Sequence, residues 1–309
     1  MRTSIAMILA AFILLGCIRP AERPDVDRES MIPAGAVKIT QGMDNHPPQL
    51  HSDEYDEPVP LACPVNTKGA EDSAFFAEDG LYFFFTPDVD VPVEKQLLDN
   101  VTGIYFSEYS NGEFQEPERV WLQEPGKLSL DGCQFIQDNR MWFCSAREGY
   151  AGMHLFTAEL VNEEWTSIEH VEDRLVEYEV GEMHLHGNEL YFHSSRVGGK
   201  GNYDIWVTRK ADGEWQEPEN IEAVNTEEHD GWPYITPDGK ELWFTRTYLG
   251  SPAIFKSERM DNEWQKPKLI VSSFAGEPTL GSEGNIYFTH HFYENGKMIE
   301  ADIYVAYRK

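Results

Sequence analysis

The apolar positions of this chain recur in short bursts, with no helical period. An aliphatic–aromatic–Phe triplet appears as Leu81-Tyr82-Phe83, Met141-Trp142-Phe143, Leu190-Tyr191-Phe192, Leu242-Trp243-Phe244 and Ile286-Tyr287-Phe288. An aliphatic–aromatic pair follows each triplet: Ile104-Tyr105, Leu155-Phe156, Ile205-Trp206, Ile254-Phe255 and Ile303-Tyr304. The aromatics of the pair are 51, 50, 49 and 49 residues apart, and self-similarity at a fixed period is the mark of a repeat architecture. A third element is a polar turn running into an aromatic: Asn111-Gly112-Glu113-Phe114, Asn162-Glu163-Glu164-Trp165, Asp212-Gly213-Glu214-Trp215 and Asp261-Asn262-Glu263-Trp264. Asn-Gly and Asp-Gly tolerate positive φ and close tight hairpins. Three copies continue to Pro117, Pro218 and Pro267. Proline lacks the amide donor that a central strand needs, so these are edge strands. Each repeat therefore predicts four short antiparallel strands, A to D, with no helix between them.

Four-stranded units at this spacing predict an all-β chain, a five-bladed β-propeller over residues 36–309. The chain runs out at Lys309, after strand C of the last repeat. The missing strand D is expected at Ser52 to Pro58, because Pro64-Val65-Asn66-Thr67 beyond it matches Ala223-Val224-Asn225-Thr226 beyond the third strand D. An N-terminal strand that completes the last blade leaves no open sheet edge. Two segments, Ser195-Arg196-Val197-Gly198-Gly199-Lys200-Gly201-Asn202-Tyr203-Asp204-Ile205-Trp206 and Pro233-Tyr234-Ile235-Thr236-Pro237-Asp238-Gly239-Lys240-Glu241-Leu242-Trp243-Phe244, resemble the TolB-like, WD40-like (PD40) repeats of bacterial propellers. The resemblance spans about residues 50–309 and is closest in the third and fourth repeats. It implies an architecture far more than an activity.

Charge narrows the partners. With 25 Lys+Arg against 54 Asp+Glu, the formal charge is −29. Nucleic acid is excluded as a default partner, since binding a polyphosphate needs basic surface. Docking through a polybasic face on anionic lipid is excluded likewise. Residues 1–16 differ in kind: Arg2 precedes an apolar run from Ile5 to Leu15, which ends Leu14-Leu15-Gly16-Cys17. The run has the length of a signal-peptide core and is too short to span a bilayer. It resembles a bacterial lipobox, which implies that Cys17 is diacylated and becomes the mature N-terminus. The alternative is an ordinary secretory signal with an incidental cysteine. Ile18 follows in place of an inner-membrane retention signal, so an outer-membrane lipoprotein is expected, touching the membrane only through its lipid. Residues 17–35 read as a flexible tether.

In a propeller the starts of the A strands meet on one face, around a funnel, with the B–C and D–A loops. That places Glu71, Asp72, Asp131, Glu182, His229, Asp230 and Glu277 together, with Arg147, Arg196, Arg246 and the pair His290-His291 at the ends of the B strands. One reading has the acids pair with the arginines and fix the blades. Another makes the funnel a ligand site, whose carboxylates would suit Ca²⁺. A third is catalytic: Asp131, Glu182 and Asp230 would act on polysaccharide, since a glycoside hydrolase needs two carboxylates at a set separation. A histidine site for a transition metal, drawn from His184, His186, His193, His229, His290 and His291, would need three ligands from different blades. The run Gly198-Gly199-Lys200-Gly201 is a hairpin loop and not a phosphate loop.

The first B–C connection is long: Phe83 to Tyr105 is 22 residues, against 13, 14, 11 and 16 in later repeats. Its Asp88, Asp90 and Glu94 are an alternative metal set. Cys133 and Cys144 flank the turn at Asp138-Asn139 symmetrically, so they are expected to face each other across strands A and B. A disulfide and a reduced pair both remain open. The functional expectation is an envelope binding or scaffold module whose funnel face meets an envelope protein or a glycan. The competing expectation is a polysaccharide hydrolase or lyase.

Overall fold

Strand B of each repeat runs through consecutive apolar residues because sheets cover both of its faces. Leu190, Tyr191 and Phe192 are all fully buried, as are Leu242, Trp243 and Phe244. A sheet wetted on one side would show alternation instead. The computed structural model describes residues 23–124, 126–172 and 174–309. The expectations for the signal segment and Cys17 lie outside the described residues.

The first repeat forms strands Ala70–Phe76, Gly80–Thr86 and Gly103–Ser110, with strand D in two pieces, Glu113–Phe114 and Glu118–Arg119. The second is Ser129–Gln137, Arg140–Arg147, His154–Val161 and Glu164–His170. The third is Met183–His186, Glu189–Ser194 and Asp204–Ala211, then Glu214–Trp215 and Glu219–Asn220. The fourth is Asp230–Ile235, Glu241–Tyr248 and Ser251–Met260, then Glu263–Trp264 and Lys268–Ser272. Ala275–Leu280, Ile286–Glu294 and Lys297–Ala306 make the last. Neighbouring strands within each repeat pair antiparallel in chain order.

The C–D hairpins close as their sequences require. Asn111-Gly112, Asn162-Glu163, Asp212-Gly213 and Asp261-Asn262 all hold positive φ at both positions, the requirement of a type I′ turn. Strand D is split wherever Pro117, Pro218 or Pro267 interrupts it, and it is continuous in the second repeat, which has no proline there. Two short helical turns, Val93–Gln96 and Arg174–Tyr178, occupy connections where no helix was expected.

The N-terminal segment supplies the outer strand of the last repeat. Val59 pairs with Val305 and Pro60 with Tyr304, and Tyr55 bridges Arg308. The matched Val-Asn-Thr motifs do the same work in both places. The Asn66 amide bonds the Ile303 backbone on both sides, and the Asn225 amide does so at Ile205. Ala301 of the last repeat pairs in parallel with Ala70 of the first.

The A strands converge on a shared axis. Phe75, Phe135, His184 and Tyr234, each from a different A strand, pack edge-to-face or stacked on one another. In four A strands the register slips at one residue. At that slip Ser73, Cys133, Trp232 and Glu277 hold φ of 50°, 55°, 52° and 56°. Such bulges re-aim side chains and are frequent beside functional sites.

Candidate functional site

Three of the expected acids are neutralised by arginine. Asp131 accepts from Arg147 at 2.9 Å and from the hydroxyls of Ser129 and Ser145. Asp230 accepts from Arg246 at 2.5 Å and from Thr226. Glu71 lies 3.3 Å from Arg28 and accepts from Thr67. All three carboxylates are fully buried. Burial outweighs the pairing at Glu71 and Asp230 and lifts both carboxyls above their ordinary value. Asp131 and Asp230, two of the three carboxylates of the catalytic expectation, are thus held as structural pairs.

Arg28 lies within the stretch read as a tether, and it begins a strap. Its guanidinium bonds the carbonyls of Pro64 and Val65 and sits over the rings of Phe83, Phe85 and Tyr105. Next, the Lys38 ammonium pairs with Glu300 at 2.7 Å and with Asp302. Burial first, then the neighbouring acids, push the Asp302 carboxyl up to about 7 despite Lys38. Asp44 then meets buried His290 at 3.1 Å, and Gln49–Leu50 adds a strand to the outer edge of the fourth repeat. Sequence reasoning missed this strap, because single contacts by Arg28, Lys38 and Asp44 leave no periodic trace.

Other expected residues are dispersed. Arg196 pairs with Glu217 at 2.5 Å and stacks on Tyr178 and Trp206, away from Glu182. His229 meets the Asn202 amide. His184 belongs to the core: its Nδ1 accepts the Ile235 amide, and burial lowers it to about 3. His193 similarly accepts from the Trp232 amide and falls to about 4. The insertion acids do not form a metal set, because Asp90 is taken by Lys297 at 2.6 Å and Glu94 points into solvent.

Cys133 and Cys144 meet across strands A and B, but not as register partners. Cys144 lies opposite Gly132, because the bulge at Cys133 shifts the register. Both are free thiols, in hydrogen-bond contact, and they line a cavity with His154, Glu182 and His193. The bond from Cys144, then burial, raises the Cys133 thiol well above its ordinary value.

A second group of acids has no arginine. Asp72, Glu277 and His291 bring ligand atoms within 4.8 Å of one another, with Asp72 3.6 Å from the His291 ring. Burial, then repulsion by Asp72 and Glu182, raises Glu277 well above the carboxylate range. Burial, then Cys133 and Asp72, raises Glu182 likewise. Burial opposes the charging of His291, but Asp72 and Glu277 lift it overall. The same imidazole, with the Ser73 amide and Thr289, lowers Asp72 against its own burial.

No protein-family model and no curated protein matches this chain. Among solved structures, an endo-arabinase from Bacteroides thetaiotaomicron VPI-5482 is similar at a TM-score of 0.50 and 13% identity, over 81% of this chain and 97% of that one. TolB from Acinetobacter baumannii aligns at 0.42 and 12% identity, over 78% of this chain and 55% of that one. A gluconolactonase from Xanthomonas campestris aligns at 0.45 and 9%, over 85% and 95%. The last two carry no weight at those scores. The first bears on the fold alone, and with the strand order it defines the chain as β-propeller-like.

Proposed function

We propose that the chain is a closed five-bladed propeller that works as a binding or scaffold module, held at the bacterial outer membrane by lipid on Cys17. The blade count is supported by bonds that link successive repeats and join the last to the first. Gln134 Nε2 donates to the Ser73 carbonyl, the Ile235 amide to His184, the Glu277 amide to Thr245 and the Phe76 amide to Thr279.

The observation that carries the binding reading is the rim of B–C loops. Four of these loops present an exposed apolar residue, Leu98, Met153, Val197 and Leu249, and in the last repeat Tyr293 lies at the end of strand B beside the turn. Val197 is 100% and Leu249 89% exposed. Large apolar side chains gathered on one rim are a contact surface in waiting. The pairing of Asp131 and Asp230 with arginines weighs against hydrolysis in the funnel. The partner is an envelope protein or a glycan.

A photo-crosslinking residue placed at Val197 or Leu249 in cells is expected to trap one defined partner. Purified protein incubated with an envelope and algal polysaccharide panel, with and without Ca²⁺, is expected to release no reducing ends. Turnover that disappears in Asp131→Asn or Asp230→Asn would overturn the reading in favour of a polysaccharide hydrolase or lyase.

A further inference from the structure

We propose that Asp72, Glu277 and His291 form a binding site for a divalent transition metal, of the Zn²⁺ or Mn²⁺ kind, at the seam between the last and first repeats. The site stands independently of what the rim binds.

Departure from the repeat is the first ground. The residue before the strand A bulge is Gly132, Gly231 or Gly276 in three repeats and Asp72 in the first. A side chain at those glycines would press on the preceding repeat: on Phe84 at 3.3 Å, His193 at 3.0 Å and Thr245 at 3.3 Å respectively. Asp72 instead reaches Thr289 and His291 of the last repeat. Glu277 occupies the bulge itself, where other repeats hold Ser73, Cys133 and Trp232. The third repeat also carries an acid, Glu182, two residues before its core His184, so the acid that the repeat does not explain is Asp72.

Unmet valence is the second ground. Glu277 Oε2 is buried and has no hydrogen-bond partner, and His291 turns its Nε2 toward Asp72 at 3.6 Å. Glu71, Asp131 and Asp230 each hold an arginine. Among the described residues, the ion-pair partner of Asp72 is His291, and Glu277 has no lysine or arginine. Among the described residues, the His291 ring is the one cationic side chain set against these two carboxylates.

The donor set fixes the class of ion. One imidazole with two carboxylates suits Zn²⁺, Mn²⁺ or Fe²⁺, whereas Ca²⁺ takes six to eight oxygens. Three protein ligands leave a coordination position open to water or to a ligand's oxygen.

The test titrates untagged, chelator-stripped full chain with ZnCl₂ by calorimetry. One equivalent is expected to bind, with affinity at least tenfold weaker in Asp72→Asn, Glu277→Gln and His291→Asn. His154→Asn and His170→Asn, at a half-buried pair 3.1 Å apart in the second repeat, are expected to leave the affinity unchanged. Co²⁺ added to the unmodified protein is expected to give the visible absorption of a low-coordinate site, which covers the case of variants that do not fold. Failure of both Zn²⁺ and Mn²⁺ to bind, Ca²⁺ binding as tightly as Zn²⁺, or loss of binding in the His154 and His170 variants alone would each overturn the proposal.

Discussion

Arg28 stands to Glu71 as Arg246 stands to Asp230. Each guanidinium meets the first acid of a strand A, bonds the carbonyl of the valine in the preceding Val-Asn-Thr motif, and covers the rings of strands B and C. Arg246 comes from its own strand B. The first repeat has Phe85 and Thr86 at the end of that strand, and an arginine from outside the repeats fills the place. Removing one partner of a buried pair strands the other. Arg28→Ala is expected to cost about 3 kcal/mol, read as a fall in Tm, while exposed Asp25→Ala stays within about 0.5 kcal/mol. Equal melting of the two variants would mean that the pair is not formed.

The seam is open to test through Tyr55. Its ring is buried and meets Trp243 edge-on at 6.2 Å, while its backbone bridges Arg308. Truncation of a large buried aromatic costs about 3–5 kcal/mol. Tyr55→Ala is expected to lose that much in urea unfolding, although it lies about 250 residues from the strand it completes. A loss under about 1 kcal/mol would show the N-terminal strand to be dispensable.

Asp302 sets a pH dependence with a definite sign. Its carboxyl rises from 3.8 unfolded to about 7 folded, so the folded chain binds more protons between those values. Stability from this group is full below about pH 4 and is lost as pH rises through about 7. Asp302→Asn removes that loss. Its stability relative to the unmodified chain is therefore expected to improve by up to about 1.4 kcal/mol per pH unit across that window. Paired urea titrations at pH 4.5, 5.5 and 6.5 measure the slope, and a flat or falling difference contradicts it.

Two glycines separate steric need from conformational need. A Cβ on Gly201 would lie 1.9 Å from the backbone oxygen of Glu228, whereas Gly112 has open space and φ of 84°. Gly201→Ala is expected to cost more than about 2 kcal/mol, and Gly112→Ala about 1 kcal/mol. Thermal melts of the two variants side by side decide the order.

What could be read beforehand was local or periodic. The Asn-Gly and Asp-Gly turns dictate their hairpins within four residues. The apolar triplets recur because every strand B meets the same two-sided burial. The Val65-Asn66-Thr67 match worked for the same reason, since its asparagine must satisfy the same strand C backbone in both copies. The strap was hidden because Lys38 meets Glu300 and Asp302 from 262 and 264 residues away in sequence. The bulges were hidden because Ser73, Cys133, Trp232 and Glu277 are not the glycines that advertise positive φ. Without the bulges, Asp72 cannot be matched to Gly132, Gly231 and Gly276, and the expected acids looked alike. The fold separates them into an arginine-paired class and an unpaired class.

The strap also orders how the molecule would bear a pull. Tension entering at residue 23 reaches the Arg28 clasp first, then Lys38, then Asp44, before any load arrives at the seam strand around Tyr55. These contacts sit at successive points along one run of chain. A pull from that side would meet three separate fasteners before it reached the seam strand.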